Sequence, residues 1–200
     1  MAYNILYTTD TGKVIGIGQN TDFNFTGGTG RAVGTLTESG VDIWLNQADQ
    51  NYNYVVFDLE TQELVLNLDG HKYVKEKELK TLLMNNLIKI DTDKYYHVSL
   101  ANDIYCMIED FNTNTEFKIP YHTRTYDNYF NETVNYAGYI TKANKEDAIA
   151  LLKRMACICS RYRQFKDEKT FAIDSATTPE EVANVSLEGL CEMDATVINA

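Results

Sequence analysis

The sequence is poor in proline and cysteine, and it contains no long hydrophobic run. Only 2 prolines and 4 cysteines occur among its 200 residues. The cysteines are too few and too scattered to form a disulfide scaffold. No stretch approaches the roughly 18 consecutive apolar residues of a membrane-spanning helix, and the first residues lack the basic and apolar segments of a secretory signal peptide. These absences predict synthesis in a reducing cytoplasm and no membrane attachment.

Basic residues are also scarce relative to acidic ones. The chain has 18 Lys and Arg against 29 Asp and Glu, which gives a formal net charge of −11. The imbalance is greatest in residues 1–70, which contain 2 basic and 9 acidic residues. Because nucleic acids and anionic membranes attract positively charged surfaces, this composition argues against both as partners.

Motifs of catalysis and of metal or nucleotide binding are missing. The glycines within residues 27–30 are not followed by the Lys-Ser/Thr pair of a phosphate-binding loop, so they predict a flexible turn. Cys157 and Cys159 would point roughly 200° apart on a helix and could not chelate one ion. The three histidines are about 25 residues apart, and no serine or cysteine lies in a nucleophile elbow. We therefore predict no enzyme activity, no cofactor and no metal site.

Repetitive patterns are absent as well. The sequence shows no internal repeat of about 20 to 50 residues, no sustained heptads and no collagen-like triplets. Since an extended fibre shaft needs such a repeat, we do not expect the chain to form one by itself.

What residues 1–70 do contain is a series of short β-prone runs. Residues 3–7 and 14–17 flank Thr9-Asp10-Thr11-Gly12, which is a good signal for a β-hairpin. Residues 54–58 and 64–66 predict a second hairpin, and residues 38–46 predict a short helix capped by Thr37. We expect a small antiparallel sheet of about three to five strands, with Trp44 packed on one face.

Residues 71–143 alternate between helical and β-prone patterns. Asp69-Gly70 predicts a boundary, after which residues 72–86 form a charged helix and residues 100–111 an amphipathic one. Residues 95–98 are typical of a strand. Residues 117–119 and 133–140 predict a β-hairpin across an Asn- and Tyr-rich turn at 127–131.

The longest helical pattern covers residues 144–185. Asn144 is a predicted N-cap, two acidic residues follow in the first turn, and no Gly or Pro occurs before Pro179. We expect one long helix with a break near Lys169. Thr178 to Glu181 then form a predicted capping box, which begins a short second helix that extends to about residue 185.

Together these patterns predict an α+β protein. It has an N-terminal small antiparallel β unit followed by a helical domain with an inserted β-hairpin and a long C-terminal helix. The predicted domains are residues 1–70 and 71–187. Residues 188–200 are a weakly patterned tail that either docks on a neighbour or is disordered.

Two groups of residues are candidates for partner binding. The chain has 14 tyrosines, which suit protein contacts, although an AT-rich genome would produce the same composition. Five of them crowd the predicted hairpin and could form a protein- or sugar-contacting surface; the alternative is one face packed on the helices and one face in water. The second group is a basic strip on the long helix. The alternatives for this strip are a solvated helix face and a row of ion pairs with the acidic N-terminal half. The candidate residues are Tyr121, Tyr126, Tyr129, Tyr136, Tyr139, Arg154 and Arg161.

A family resemblance rests on residues 144–185. The long helix ends in aromatic and basic residues and is followed by Ile173-Asp174-Ser175-Ala176 and by Thr178-Pro179-Glu180-Glu181-Val182. With Leu151, Leu152, Met155 and Tyr162, this pattern resembles the uncharacterised C-terminal domain found in many bacteriophage tail-fibre and tail-fibre-assembly proteins. At its widest extent the resemblance reaches upstream to about Glu76, and it then covers about half of the chain.

The resemblance implies, by analogy, a structural protein of the phage tail, baseplate or fibre. Such a protein would be made in the cytoplasm of the bacterial host and retained in the virion tail. We expect a homo- or hetero-oligomer that contacts other tail, baseplate or fibre proteins. Two alternatives remain open: a tail-fibre assembly chaperone that is not retained in the virion, and a host-receptor or glycan-binding module.

Overall fold

The chain folds as a mixed α+β protein, as the sequence predicts. A computed structural model describes residues 2–19, 27–47, 49–85, 89–91, 94–95, 101–126 and 132–190. The strands are β1 (Tyr3–Thr8), β2 (Val14–Gln19), β3 (Arg31–Thr35), β4 (Val55–Asp58), β5 (Glu63–Leu66), β6 (Lys89–Asp91), β7 (Lys94–Tyr95), β8 (Phe117–Tyr126) and β9 (Glu132–Lys142). The α-helices are α1 (Glu38–Leu45), α2 (Leu68–Asn85), α3 (Ala101–Thr113), α4 (Lys145–Ser175) and α5 (Pro179–Ala183).

The first sheet has the strand order β2-β1-β3, and all its pairs are antiparallel. The predicted hairpin is confirmed, since Ile5 pairs with Ile17 across the turn. Strand β3 was not predicted from the sequence. It pairs on the other side of β1, where Ile5 faces Gly34, and its residues alternate between exposed and partly buried. An edge strand of this kind lacks the run of apolar residues that identifies a strand in the sequence.

A second, two-stranded sheet is formed by β4 and β5, as predicted. In its turn, the Asp58 carboxylate accepts hydrogen bonds from the backbone N–H groups of Glu60 (2.8 Å) and Thr61 (3.1 Å). The Thr37 hydroxyl accepts a hydrogen bond from Gly40 N at 3.2 Å, which confirms the predicted cap of α1. Trp44 on this helix is buried in a core that β1, β2, β4 and β5 also contribute to.

Helix α2 begins earlier than the sequence predicts, so the predicted start at residue 72 is wrong. Asn67 caps it: the side-chain oxygen accepts a hydrogen bond from Gly70 N (3.1 Å), and the carbonyl accepts one from His71 N (3.0 Å). Gly70 is therefore helical rather than a boundary. A Cβ atom at this position would lie 1.6 Å from the Asn53 carbonyl oxygen, so glycine serves close packing here.

The predicted central helix and hairpin are confirmed as α3 and the antiparallel pair β8–β9, within a sheet of order β6-β7-β8-β9. The turn at 127–131 and predicted strand residues 96–98 lie outside the described residues. Ile119 on β8 is fully buried and forms a core with Phe111, Ala148 and Leu152. This core joins α3, the hairpin and the beginning of α4.

Helix α4 runs without interruption over 31 residues, so the predicted break near Lys169 is wrong. Its predicted N-cap is confirmed, because the Asn144 side chain accepts a hydrogen bond from Asp147 N at 2.8 Å. The predicted capping box is also confirmed: Thr178 accepts a hydrogen bond from Glu181 N, and the Glu181 carboxylate accepts one from Thr178 N. The tail beyond residue 190 lies outside the described residues.

The chain divides into two compact units. One contains residues 1–77 and 172–185, and the other contains residues 78–171 and 186–200. Residue 70, where the sequence places a domain limit, lies inside α2. Within the first unit, Lys72 Nζ donates a hydrogen bond to the Asp174 carbonyl at 2.7 Å. Within the second, the Tyr162 hydroxyl donates one to the Leu83 carbonyl at 2.9 Å.

Candidate partner-binding site

Four of the five candidate tyrosines, at positions 121, 126, 136 and 139, belong to the strands of the β8–β9 hairpin. In its register Pro120 pairs with Tyr139, His122 with position 136, and position 126 with Glu132. An irregularity between residues 121 and 122 places one extra residue on β9 between these pairs. The register therefore assigns positions 126, 136 and 139 to one face of the hairpin.

Position 121 belongs to the other face of the hairpin. It is two residues from Ile119 along β8 and so shares the face of Ile119, which is fully buried against α3 and α4. Tyr129 lies outside the described residues, as do the side chains of Tyr121, Tyr126, Tyr136 and Arg154. Backbone register thus divides the predicted tyrosine surface between two faces.

Tyr139 and Arg161 are the candidates whose side chains the structure describes. Tyr139 is 56% exposed on β9. Arg161 is exposed on α4. It is not among the residues that line the depression beside Tyr139.

An open depression of about 510 Å³ lies beside the Tyr139 ring, and we call it the Tyr139 depression. Helix α3 and the loop that follows it form one side. Met107, Asp110 and Phe111 line it from the helix, and Asn114 and Thr115 line it from the loop. Asp110, Asn114 and Thr115 are exposed, so their oxygen and nitrogen atoms are accessible at the rim.

The strand side of the Tyr139 depression is formed by Glu116, Lys118 and Tyr139 itself. The Lys118 ammonium and the Glu116 carboxylate lie 2.5 Å apart, and both side chains are exposed. The hydrogen bond from Lys118, together with its charge, lowers the pKa of Glu116, and the hydrogen bond to Glu116 raises the pKa of Lys118. Both groups therefore remain ionised at neutral pH, and each neutralises the other.

Phe111 forms a firmly packed floor among the residues that line the depression. Phe111 is only 5% exposed, and its ring meets that of Phe117 edge-on, with the ring centroids 5.7 Å apart and the planes at 86°. Edge-to-face packing of this kind stabilises aromatic pairs beyond the burial of their area. The end of α3 is also tied to α4, because the Lys145 ammonium donates a hydrogen bond to the Asn112 side chain. The polar rim is consequently held on a rigid base.

Sequence reasoning missed most of this depression. Asp110 and residues 114–116, which line it, are not among the partner-binding residues predicted from the sequence. The sequence feature that could have indicated this site is the polar run Asn112-Thr113-Asn114-Thr115-Glu116, directly after the predicted amphipathic helix. What brings it to Tyr139 is the strand register, which joins residues more than 20 positions apart and is not readable from local periodicity.

No known protein family, curated protein or solved structure matches this chain. Among the helices of the described residues, none is long and apolar enough to cross a membrane. Within the same residues, no group of three or more His, Cys, Asp or Glu side chains is placed to hold a metal ion. The functional argument therefore rests on the residues themselves.

Proposed function

We propose that this chain is a structural protein of a bacteriophage tail that acts through contacts with other tail, baseplate or fibre proteins. The observation that carries the proposal is the pattern of residues 144–185, which resembles the C-terminal domain of tail-fibre and tail-fibre-assembly proteins. The residues of that pattern have fold-determining roles: Leu152, Ile173 and Val182 are buried, and Thr178 with Glu181 caps α5. Such positions identify a fold more reliably than an activity.

A protein partner suits the electrostatics of the chain better than a nucleic acid or an anionic membrane does. The net charge of −11 repels phosphate groups. Exposed aromatic side chains, by contrast, favour contacts with other proteins. Tyr105 on α3 is 65% exposed, and Phe171 on α4 is 73% exposed. In this proposal they are covered in the assembled tail.

Mass spectrometry of purified, intact phage particles tests this function. A tail component is expected at a fixed copy number relative to the other tail proteins, and it should stay with the particle through density-gradient purification. Detection only in the infected-cell lysate would contradict a structural role and favour the assembly chaperone. The major tail protein, quantified in the same samples, provides the copy-number reference.

A glycan-binding role is a second candidate, because of one specific observation. The exposed Tyr139 ring lies beside several hydrogen-bonding side chains on a rigid floor. Such a combination of an aromatic face and polar groups is common to sites that bind sugars.

A further inference from the structure

We propose that the Tyr139 depression binds a neutral saccharide unit. The pyranose ring of a sugar has a face of C–H groups that packs on an aromatic side chain, and an edge of hydroxyl groups that needs hydrogen-bond partners. Tyr139 supplies an aromatic side chain that is 56% exposed. The rim beside it supplies the partners. This ligand class follows from the geometry and does not depend on a role in the phage tail.

The rim offers both donors and acceptors, as a polyhydroxylated ligand requires. The Asp110 carboxylate accepts hydrogen bonds only, whereas the Asn114 amide and the Thr115 hydroxyl can each donate and accept. All three side chains are exposed and therefore accessible to a ligand. Since sugar hydroxyls also donate and accept, these groups can be satisfied together.

The charges of the site select against acidic sugars. Lys118 is the cation among the lining residues, and its ammonium is 2.5 Å from the Glu116 carboxylate. Asp110 adds a further negative charge without a cation of its own among the lining residues. A sialic acid, a sulfated sugar or a sugar phosphate would have to separate Lys118 from Glu116 to be bound. A neutral sugar can bind without separating this ion pair.

Size and rigidity also fit this ligand class. The volume of about 510 Å³ lies within the range of roughly 300–1,000 Å³ that is usual for small-molecule sites. The buried Phe111 ring packs edge-on against the partly buried Phe117 ring, which holds the floor in place. Because less conformational freedom is lost on binding, a preorganised floor increases affinity.

Saturation-transfer NMR on the full chain is the experiment that tests the site. The ligands are glucose, galactose, N-acetylglucosamine and their disaccharides, with N-acetylneuraminic acid as the charged comparison. We expect transfer to the ring C–H protons of at least one neutral sugar and little transfer to N-acetylneuraminic acid. Tyr139→Ala should weaken the binding about tenfold or more, since it removes the aromatic face, whereas Tyr139→Phe should retain it.

The matched control is Tyr105→Ala. Tyr105 is 65% exposed on the same unit but does not line the depression, so this variant should bind like the wild type. Circular dichroism of each variant separates loss of binding from loss of fold. The absence of transfer to every neutral sugar at millimolar concentration would overturn the proposal, as would equal loss in the Tyr105 and Tyr139 variants. Mass spectrometry of the particle reports on the tail function separately, so either conclusion can fail alone.

Discussion

At the scale of single residues, Gly70 shows how the surroundings reverse an ordinary propensity. In a helix interior, Gly→Ala usually stabilises a protein by about 1 kcal/mol. At position 70 the new Cβ atom would meet the Asn53 carbonyl oxygen at 1.6 Å. We therefore expect Gly70→Ala to destabilise the protein by about 1–3 kcal/mol, measured by urea denaturation.

The control for this prediction is Thr81→Ala on the same helix. Thr81 is exposed, and replacing its β-branched side chain by alanine should be neutral or slightly stabilising. A Gly70→Ala variant as stable as the wild type would show that the backbone of residue 53 moves aside without cost.

The stability that the α5 capping box contributes depends on pH through the Glu181 carboxyl. Hydrogen bonds from the Thr177 backbone (2.6 Å) and hydroxyl (2.9 Å) lower the pKa of the Glu181 carboxyl below its ordinary value of 4.5, and the Thr178 backbone adds to this effect. A lowered pKa in the folded state stabilises the protein above the pKa of the unfolded chain, and this contribution disappears as the pH falls through the folded-state pKa. Glu181→Gln should therefore lower the melting temperature at pH 7.

The difference between wild type and Glu181→Gln should shrink as the pH is lowered below about 4.5. Melting curves recorded between pH 3 and pH 7 test this dependence. Glu180→Gln removes the same charge one position away and serves as the control. If the difference in melting temperature between wild type and Glu181→Gln stayed constant with pH, the cap would not depend on ionisation of the Glu181 carboxyl.

At the scale of elements, the continuity of α4 is the feature most open to test. The helix passes through residues 167–169, and the side-chain amide of Gln164 donates a hydrogen bond to the Glu168 carboxylate at 2.8 Å. Proline in a helix interior removes a backbone hydrogen bond and clashes with the preceding turn. Glu168→Pro should cost about 3 kcal/mol or more in unfolding free energy and reduce the helical circular dichroism signal.

Glu168→Ala is the matched control, since it keeps the helix and loses only an exposed side-chain contact. Its expected cost is below about 0.5 kcal/mol. If Glu168→Pro and Glu168→Ala had similar stability, the helix would have an interruption at this point after all.

The elements that could be predicted from the sequence are those with local signals. The β1–β2 hairpin, the Thr37 and Asn144 caps and the Thr178–Glu181 capping box all depend on neighbours within a few residues. Strand β3 could not be predicted in this way because its partner β1 lies more than 20 residues away in the sequence. The early start of α2 was missed because Gly70 is typical of a boundary, and only its contact with Asn53 explains it.

The candidate site was predictable only in part, for the same physical reason. Tyr139 is exposed, as both the partner-binding hypothesis and the alternative of one solvated hairpin face allow, so its binding role stays a prediction. The residues opposite it, from Asp110 to Glu116, belong to the end of α3 and the following loop, and their position depends on how α3 packs against β8 and α4. Packing of that kind is decided by volumes and shapes over the whole core, which no local pattern encodes.

At the scale of the whole molecule, charge is distributed unequally between the two units. Residues 1–77 and 172–185 contain 5 basic and 13 acidic residues, whereas residues 78–171 and 186–200 contain 13 basic and 16 acidic residues. Like charges that folding brings together repel one another, and salt screens this repulsion over a Debye length of about 10 Å at 0.1 M. We therefore expect the folded protein to gain stability when salt is added at pH 7.

Raising NaCl from 20 to 300 mM at pH 7 should increase the melting temperature by about 2–4 °C, which corresponds to roughly 1 kcal/mol for a chain of this length. The same increase in salt near the isoelectric point of 4.7 should have much less effect, because little net repulsion is left to screen. A melting temperature that falls with salt at pH 7 would contradict this account: attractive ion pairs would then outweigh repulsion.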